Sequence, residues 1–196
     1  MSLVTLVSGG LDSTVLALLV KEEGLTQYPL FIDYGQRARD REMRACQANF
    51  RRHELPAPKI ASIGGFGSLL PSGLTDPGKH ILDDAFLPGR NALFLTVAAA
   101  YAYDVGASAV AIGLLSESSS LFPDQSSAFL SEAETFLSRA LGVTINVVAP
   151  LMSLTKADVV AIAKKKSIAK TYSCHAGGEV PCGECVACRE YIGLEV

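Results

Sequence analysis

A chain of 196 residues has the length of one ordinary domain, with room for a substantial buried core. Its 49% hydrophobic and 19% charged content makes it globular and leaves little charge to cover the surface, so part of that surface is expected to lie in a subunit interface. A net charge of −3 and an isoelectric point near 5.6 exclude the basic footprint of a protein that binds long nucleic acid, and leave a nucleobase-sized ligand open.

The first residues carry no basic segment or cleavage site, and the apolar stretch 92–103 is too short to span a bilayer, so no membrane association and a cytoplasmic location are expected. Taken in chain order, apolar runs without polar alternation predict strands over 3–7, 28–33, 59–63, 109–114 and 145–148. Between and after them, helices are predicted over 13–23, 39–52, 91–104, 127–141 and 156–166. This alternation implies an α/β fold with a mostly parallel sheet covered by helices on both sides. Ligands of such folds sit beyond the carboxyl ends of the strands, near the point where strand order reverses. The loops after the first, second and fourth strands are therefore the places to look. The Gly-, Pro- and Ser-dense segment 64–89 breaks the alternation and reads as a lid, a binding loop or a disordered stretch. The Arg-rich helix within 37–52 reads as a solvated face with i,i+4 pairs.

Between the first strand and first helix stands Ser8-Gly9-Gly10-Leu11-Asp12-Ser13-Thr14. Glycines without a Cβ let the backbone bring N–H groups close to an anion, and a helix opening near Asp12 adds unpaired donors and the positive end of its dipole. Ser8, Ser13 and Thr14 add hydroxyls. No GxxxxGK[ST] is present, so this is not a Walker loop. It instead resembles SGGxDS, the pyrophosphate loop of the ATP pyrophosphatases, which split ATP between the α and β phosphates and adenylate a substrate.

Four of the five cysteines, Cys174, Cys182, Cys185 and Cys188, follow C-x7-C-x2-C-x2-C. Four thiolates at these spacings close a tetrahedral shell around structural zinc, whose binding energy folds a tail otherwise poor in apolar side chains. An iron–sulfur cluster is the alternative. His175, beside Cys174, is either a replacement ligand or a residue outside the shell. Cys46 reads as a small core residue. The division expected is an α/β core over 1–172 and a cysteine knuckle over 173–196.

Loop and cluster together, with DYGQR at 33–37, PGRN at 88–91, IG at 112–113, PD at 123–124 and PLMSLTKAD at 150–158, resemble the QueC family of 7-cyano-7-deazaguanine synthases along most of the chain. That resemblance implies a homodimeric ATP-pyrophosphatase-type fold with structural Zn²⁺. It also implies ATP- and Mg²⁺-dependent conversion of 7-carboxy-7-deazaguanine and ammonia to the nitrile through an amide. On this resemblance Ser8 to Thr14 and Gly113 hold ATP, and Ser8, Asp12, Ser13, Arg90 and Lys156 carry the chemistry. Tyr34, Gln36, Arg90, Asn91, Phe122 and Asp124 would contact substrate. Asp12 is a hard oxygen ligand suited to Mg²⁺, and the Arg90 and Lys156 cations suit developing phosphate charge. Bland roles stand beside these: a surface position for Lys156, a turn for Arg90, a helix cap for Asn91 or Asp124, a structural turn for Tyr34 and Gln36.

The chain departs from the family's DYSGYPDCRPEF-like segment at 118–129, where Gln125, Ser126 and Ala128 replace Cys, Arg and an acid. Loss of a guanidinium removes a bidentate anion partner that Ser cannot replace. Asp124 keeps a carboxylate able to accept the paired N–H donors of a guanine-like edge. Tyr191 stands where the family tends to place Arg. The departures motivate an alternative, conjugation of a deazaguanine to a protein amine, as in relatives from antiphage defence; a second alternative is a catalytically silent nucleotide-binding module, against which intact Ser8, Asp12 and Ser13 argue.

Overall fold

The computed structural model describes residues 2–119 and 121–194; Met1, Ser120, Glu195 and Val196, which fall within the expected domain limits or the 118–129 segment, lie outside the described residues. Strands β1 (Ser2–Val7), β2 (Thr26–Asp33), β3 (Lys59–Ser62), β4 (Ala109–Ala111) and β5 (Asn146–Val148) form one sheet in the order β3-β2-β1-β4-β5. All four pairings are parallel, with Val4 opposite Tyr28 on one side and Val110 on the other. Parallel neighbours require crossovers, and among the described residues seven α-helices supply or follow them: α1 (Leu11–Glu22), α2 (Arg39–Arg52), α3 (Gly65–Leu69), α4 (Arg90–Val105), α5 (Ser127–Leu141), α6 (Lys156–Lys165) and α7 (Val186–Arg189).

The two sheet faces separate the core into layers. Val4, Leu6, Leu30, Ile32, Val110 and Ile112 pack against Leu95, Ala98 and Ala102 of α4 and Leu130 and Leu137 of α5. On the opposite face Leu3, Ala109 and Ala111 meet Val15, Leu16 and Val20 of α1 and Val159, Val160 and Ala163 of α6. Val7 and Phe31 meet Met43, Cys46 and Phe50 of α2 on that same side. Burial on both faces accounts for strands that lack polar alternation.

Three expectations need correction. The fourth strand stops at Ala111 rather than 114, because the chain turns over the start of α1, where a Cβ on Gly113 would stand 3.5 Å from Ser13 N. Segment 64–89 is an ordered cover: it contains α3, buries Leu74, Ile81, Ala85 and Leu87, and is tied to Arg37, whose N–H donates to Leu74 O and whose Nη1 donates to Gly73 O. Helix α2 is amphipathic rather than solvated, burying Met43, Ala45, Cys46, Asn49 and Phe50, and its Arg39 and Arg41 pair with Asp33, Asp40 and Glu179 instead of i+4 carboxylates. Cys46 is a core residue, as its helical setting indicated.

The first turn after β1 packs closely on α2. Gly9 has φ +83°, and a Cβ there would stand 2.1 Å from the Glu42 carbonyl oxygen of α2. A side chain at this position faces both a left-handed backbone and a backbone clash. Gly9→Ala is expected to cost about 3 kcal/mol or more of unfolding free energy in urea titration; a loss under about 1 kcal/mol would show that α2 and the loop separate easily.

Candidate active site and metal centre

Strand order reverses between β1 and β4, and a cleft of about 260 Å³ opens there, beyond the carboxyl ends of the strands. Ser8, Gly10, Asp12 and Ser13 from the first loop, Gly113 after β4, Arg90 and Asn91 at the start of α4, and Lys156 at the start of α6 all reach it. Tyr34 and Gln36 after β2, together with Phe122, are the other expected residues in its wall.

The loop residues divide by role. Ser13 Oγ accepts from Ser8 N–H at 3.1 Å and donates to Gly10 O at 3.2 Å, while Thr14 Oγ1 donates to Gly10 O at 2.8 Å. These bonds fold the loop back onto the beginning of α1, whose N-terminus is capped by Gly10 with no side-chain hydrogen bond. The first-turn N–H groups are thereby left for an anion. Thr14 and Leu11 are buried in the body of the protein, and Gly9 packs on α2; these three shape the loop and do not reach the cleft wall.

Lys156 is buried and donates to both carboxylate oxygens of Asp12 at 2.8 and 2.9 Å. It also pairs with Glu190 Oε2 at 2.7 Å, and its ammonium lies 4.7 Å from the centre of the Tyr191 ring. Burial pushes the ammonium down, but Asp12 and Glu190 together hold its pKa above the usual lysine value, so it stays charged. The surface role considered for Lys156 does not fit this position. Arg90 follows Gly89, the left-handed N-cap of α4, and lies 5.9 Å from the Phe94 ring.

Asn91 and Asp124 are used on each other. Asn91 Nδ2 donates to Asp124 O at 2.9 Å, and Asn91 N–H donates to Asp124 Oδ2 at 3.3 Å. Neither is a helix cap: Gly89 caps α4, and Ser126 caps α5 by accepting from Phe129 N–H. Asp124 Oδ2 is engaged by Asn91, and the residue does not line the cleft as it stands. Gln125, one of the departures, does line the cleft, and its Oε1 accepts from Leu121 and Phe122 N–H groups.

Glu42 was missed by sequence reasoning. It lies deep in the cleft wall and accepts from Gln36 Nε2 at 3.0 Å. Burial, against the opposing effects of Gln36 and Arg90, pushes its carboxyl up to about 7. Tyr34 is likewise pushed up to about 12 by burial and packs on Phe94 with ring centres 5.2 Å apart.

The four cysteines converge. Their sulfur atoms all lie within 4.8 Å of one another, with Cys182 and Cys188 Sγ atoms 3.9 Å apart. Tetrahedral thiolates at about 2.3 Å from a metal stand about 3.8 Å apart, so the donor set fits. Backbone N–H groups of Cys182, Cys185 and His175 donate to Cys174, Cys182 and Cys185 sulfurs, as thiolate ligands require. His175 lies outside this set: it lines the cleft, its Nδ1 is buried without a hydrogen-bond partner, and burial with Arg90 and Lys156 pushes it down to about 4. The cysteine unit is docked on the α/β body, where Arg41 Nε donates to Gly177 O and Tyr172 N–H donates to Gly9 O.

The fold is shared with proteins of known structure. NMN synthetase from Francisella tularensis superposes with a TM-score of 0.56 at 16% identity, covering 90% of this chain and 67% of that one. A predicted subunit of a tRNA methyltransferase from Methanocaldococcus jannaschii gives 0.52 at 16% identity, covering 88% and 92%. Residues 2–191 match the family described as Queuosine biosynthesis protein QueC, and the chain belongs to that family. The 7-cyano-7-deazaguanine synthase of Oceanobacillus iheyensis is 32% identical over 198 residues, covering 95% of this chain and 89% of the relative. The 7-cyano-7-deazaguanine synthase 2 of Desulfitobacterium hafniense is 34% identical over 200 residues, covering 94% and 84%.

Two outcomes are expected. Cys185→Ser should lower bound metal, read by inductively coupled plasma mass spectrometry, and reduce the melting temperature; unchanged metal content would remove Cys185 from the shell. The raised Glu42 pKa stabilises the fold below the ordinary carboxyl value near 4.5, and that contribution is lost as pH rises through about 7. Glu42→Gln should therefore flatten the fall in stability across this window, by about 3 kcal/mol at most. Parallel urea-stability curves for wild type and variant between pH 5 and pH 8 would contradict it.

Proposed function

We propose that this chain activates 7-carboxy-7-deazaguanine by adenylation and delivers the acyl group to ammonia, proceeding through the amide to 7-cyano-7-deazaguanine. The observation that carries the reading is the convergence of four sequence-distant groups, the Ser8–Ser13 loop, Arg90, Gly113 and Lys156, on one cleft. A carboxylate is a poor electrophile at neutral pH. Its attack on the α-phosphorus of ATP releases pyrophosphate and makes an acyl adenylate; ammonia then displaces AMP. A second adenylation, on the amide oxygen, followed by loss of AMP and protons, gives the nitrile.

Ser8, Gly10 and Ser13, with the first-turn N–H groups of α1, would hold the pyrophosphate portion. Gly113 lets a ligand approach the start of α1. Lys156 and Arg90 would balance negative charge that grows as the α–β bond breaks. In this chain Lys156 begins between two carboxylates, so nucleotide binding would draw it from Asp12 toward phosphate. Asp12, with its carboxylate at the cleft, would hold Mg²⁺, which neutralises triphosphate charge when bound. Cys174, Cys182, Cys185 and Cys188 would hold zinc as a structural ion, with every ligand position filled by protein. Among the described residues no helix is long and apolar enough to cross a membrane. Action as a cytoplasmic homodimer is part of the reading, supported by the apolar composition and checked by sedimentation.

The deciding experiment is mass spectrometry of products from the chain with ATP, Mg²⁺, ammonium and 7-carboxy-7-deazaguanine. The nitrile, with AMP and pyrophosphate formed alongside it, is the expected outcome. A product that stops at a protein-linked amide, or no pyrophosphate release, would overturn the reading. Asp12→Ala should reduce pyrophosphate release at least about a hundredfold while circular dichroism stays unchanged; retained turnover would remove the loop from the chemistry.

A further inference from the structure

Glu42 is a charged group in the cleft to which adenylation chemistry gives no task. Asp12 and Glu190, in the same wall, both hold Lys156. Glu42 has no ion pair among the described residues, and its one hydrogen bond comes from Gln36 Nε2 to Oε2 at 3.0 Å. An ionised carboxylate so placed is costly unless a ligand supplies donors. Gln36 is fully committed elsewhere, since its Oε1 accepts from Tyr34 N–H and its Nε2 also donates to Ile32 O. It therefore fixes the Glu42 carboxylate in place and leaves the remaining acceptor positions toward the cleft.

Aromatic rings line the same cleft. Tyr34, Phe94 and Phe122 share the cleft wall with Glu42, and Phe86 stacks on Phe122 with ring centres 5.0 Å apart. Such a slot suits a planar heterocycle. A carboxylate accepts from two adjacent N–H donors, the pattern of a guanine-type ring N–H and exocyclic amine. The corresponding edge of adenine presents one donor and one acceptor, which a carboxylate does not match. Asp124, the other carboxylate of this region, accepts from Asn91 N–H and is absent from the wall.

We propose that Glu42 reads the guanine-type edge of the acyl substrate, accepting one hydrogen bond from the ring N–H and one from the 2-amino group. The inference rests on the functional reading of the chain as a deazaguanine-activating enzyme, and it names the side chain that sets base specificity. The groups that face Glu42 are Arg90 of α4, Tyr34 after β2, Tyr172 of the docked tail and Cys46 on its own helix. Burial holds Tyr34, Tyr172 and Cys46 at about 12, so none of the three ionises near neutral pH, and Arg90 favours the charged carboxylate. With the free carboxyl at about 7, binding of two N–H donors requires ionisation and releases a proton in mildly acidic solution.

The test is calorimetric binding of 7-carboxy-7-deazaguanine, of its analogue lacking the 2-amino group, and of ATP, to wild type and Glu42→Gln. Wild type at pH 8 should prefer the amino ligand by about tenfold or more, and the variant should lose most of that preference while ATP affinity stays within about twofold. Equal discrimination in both proteins would overturn the proposal. So would loss of ATP affinity with discrimination kept, which would mark Glu42 as an adenine contact. If the variant fails to fold, wild type alone decides: binding in buffers of different ionisation heat should release about one proton at pH 6 and close to none at pH 8. Equal proton exchange at both would overturn the proposal. Failure of wild type to bind or adenylate 7-carboxy-7-deazaguanine would overturn the functional reading and this inference with it; failure confined to the variant comparison overturns the inference alone.

Discussion

The backbone of Gly9 is pressed against the Glu42 carbonyl of α2, and the rest of the cleft is built outward from that contact. It fixes the distance between the loop after β1 and the helix after β2. The same glycine offers its own carbonyl to Tyr172 N–H, so the segment leading into the cysteine unit is registered on the loop as well. One residue without a side chain thus sets the spacing of three parts of the chain that are far apart in sequence. The Glu42 side chain can reach the cleft because its backbone is held at the loop.

The cleft is electrically uneven. At the phosphate end a single ammonium is balanced by two carboxylates and covered by an aromatic ring, so its charge is stored at little net cost. At the aromatic end a carboxylate has one neutral hydrogen-bond donor and, among the described residues, no ion pair; burial raises its proton affinity against the opposing field of Arg90. Such an imbalance lowers stability near neutral pH, and binding sites commonly retain an arrangement of this kind. The two ends suit different partners: an anion exchanged for Asp12 at one, a neutral donor pair at the other.

What could be read from the sequence was what depends on near neighbours in the chain. The strands, most helix limits, the SGGLDST loop and the cysteine spacing follow from local pattern, and the structure places them within a residue or two, apart from the early end of β4. Glu42 was lost in a run of arginines because its direction depends on how α2 rolls onto Gly9, which no periodicity in a polar segment encodes. Asp124 matches the motif, and one of its carboxylate oxygens accepts from the Asn91 N–H, a partner 33 residues away that local pattern does not reveal. Glu190 gave no signal either, since its contact with Lys156 exists only once the tail is docked. Segment 64–89 looks loose by composition, although it buries Leu74, Ile81, Ala85 and Leu87, and Leu74 and Ala85 line the cleft.

The docking of the cysteine unit also sets the order in which a working molecule is completed. Ser173, His175, Val186, Ala187 and Glu190 stand in the same wall as Ser8 and Gly10, so the cleft is bounded by segments more than 160 residues apart. A growing polypeptide displays its phosphate loop early, yet the far wall exists only after residue 190 has been made and the four sulfurs have gathered. A chain interrupted before residue 190 would carry the first loop without the wall that Ser173, His175 and Glu190 form opposite it.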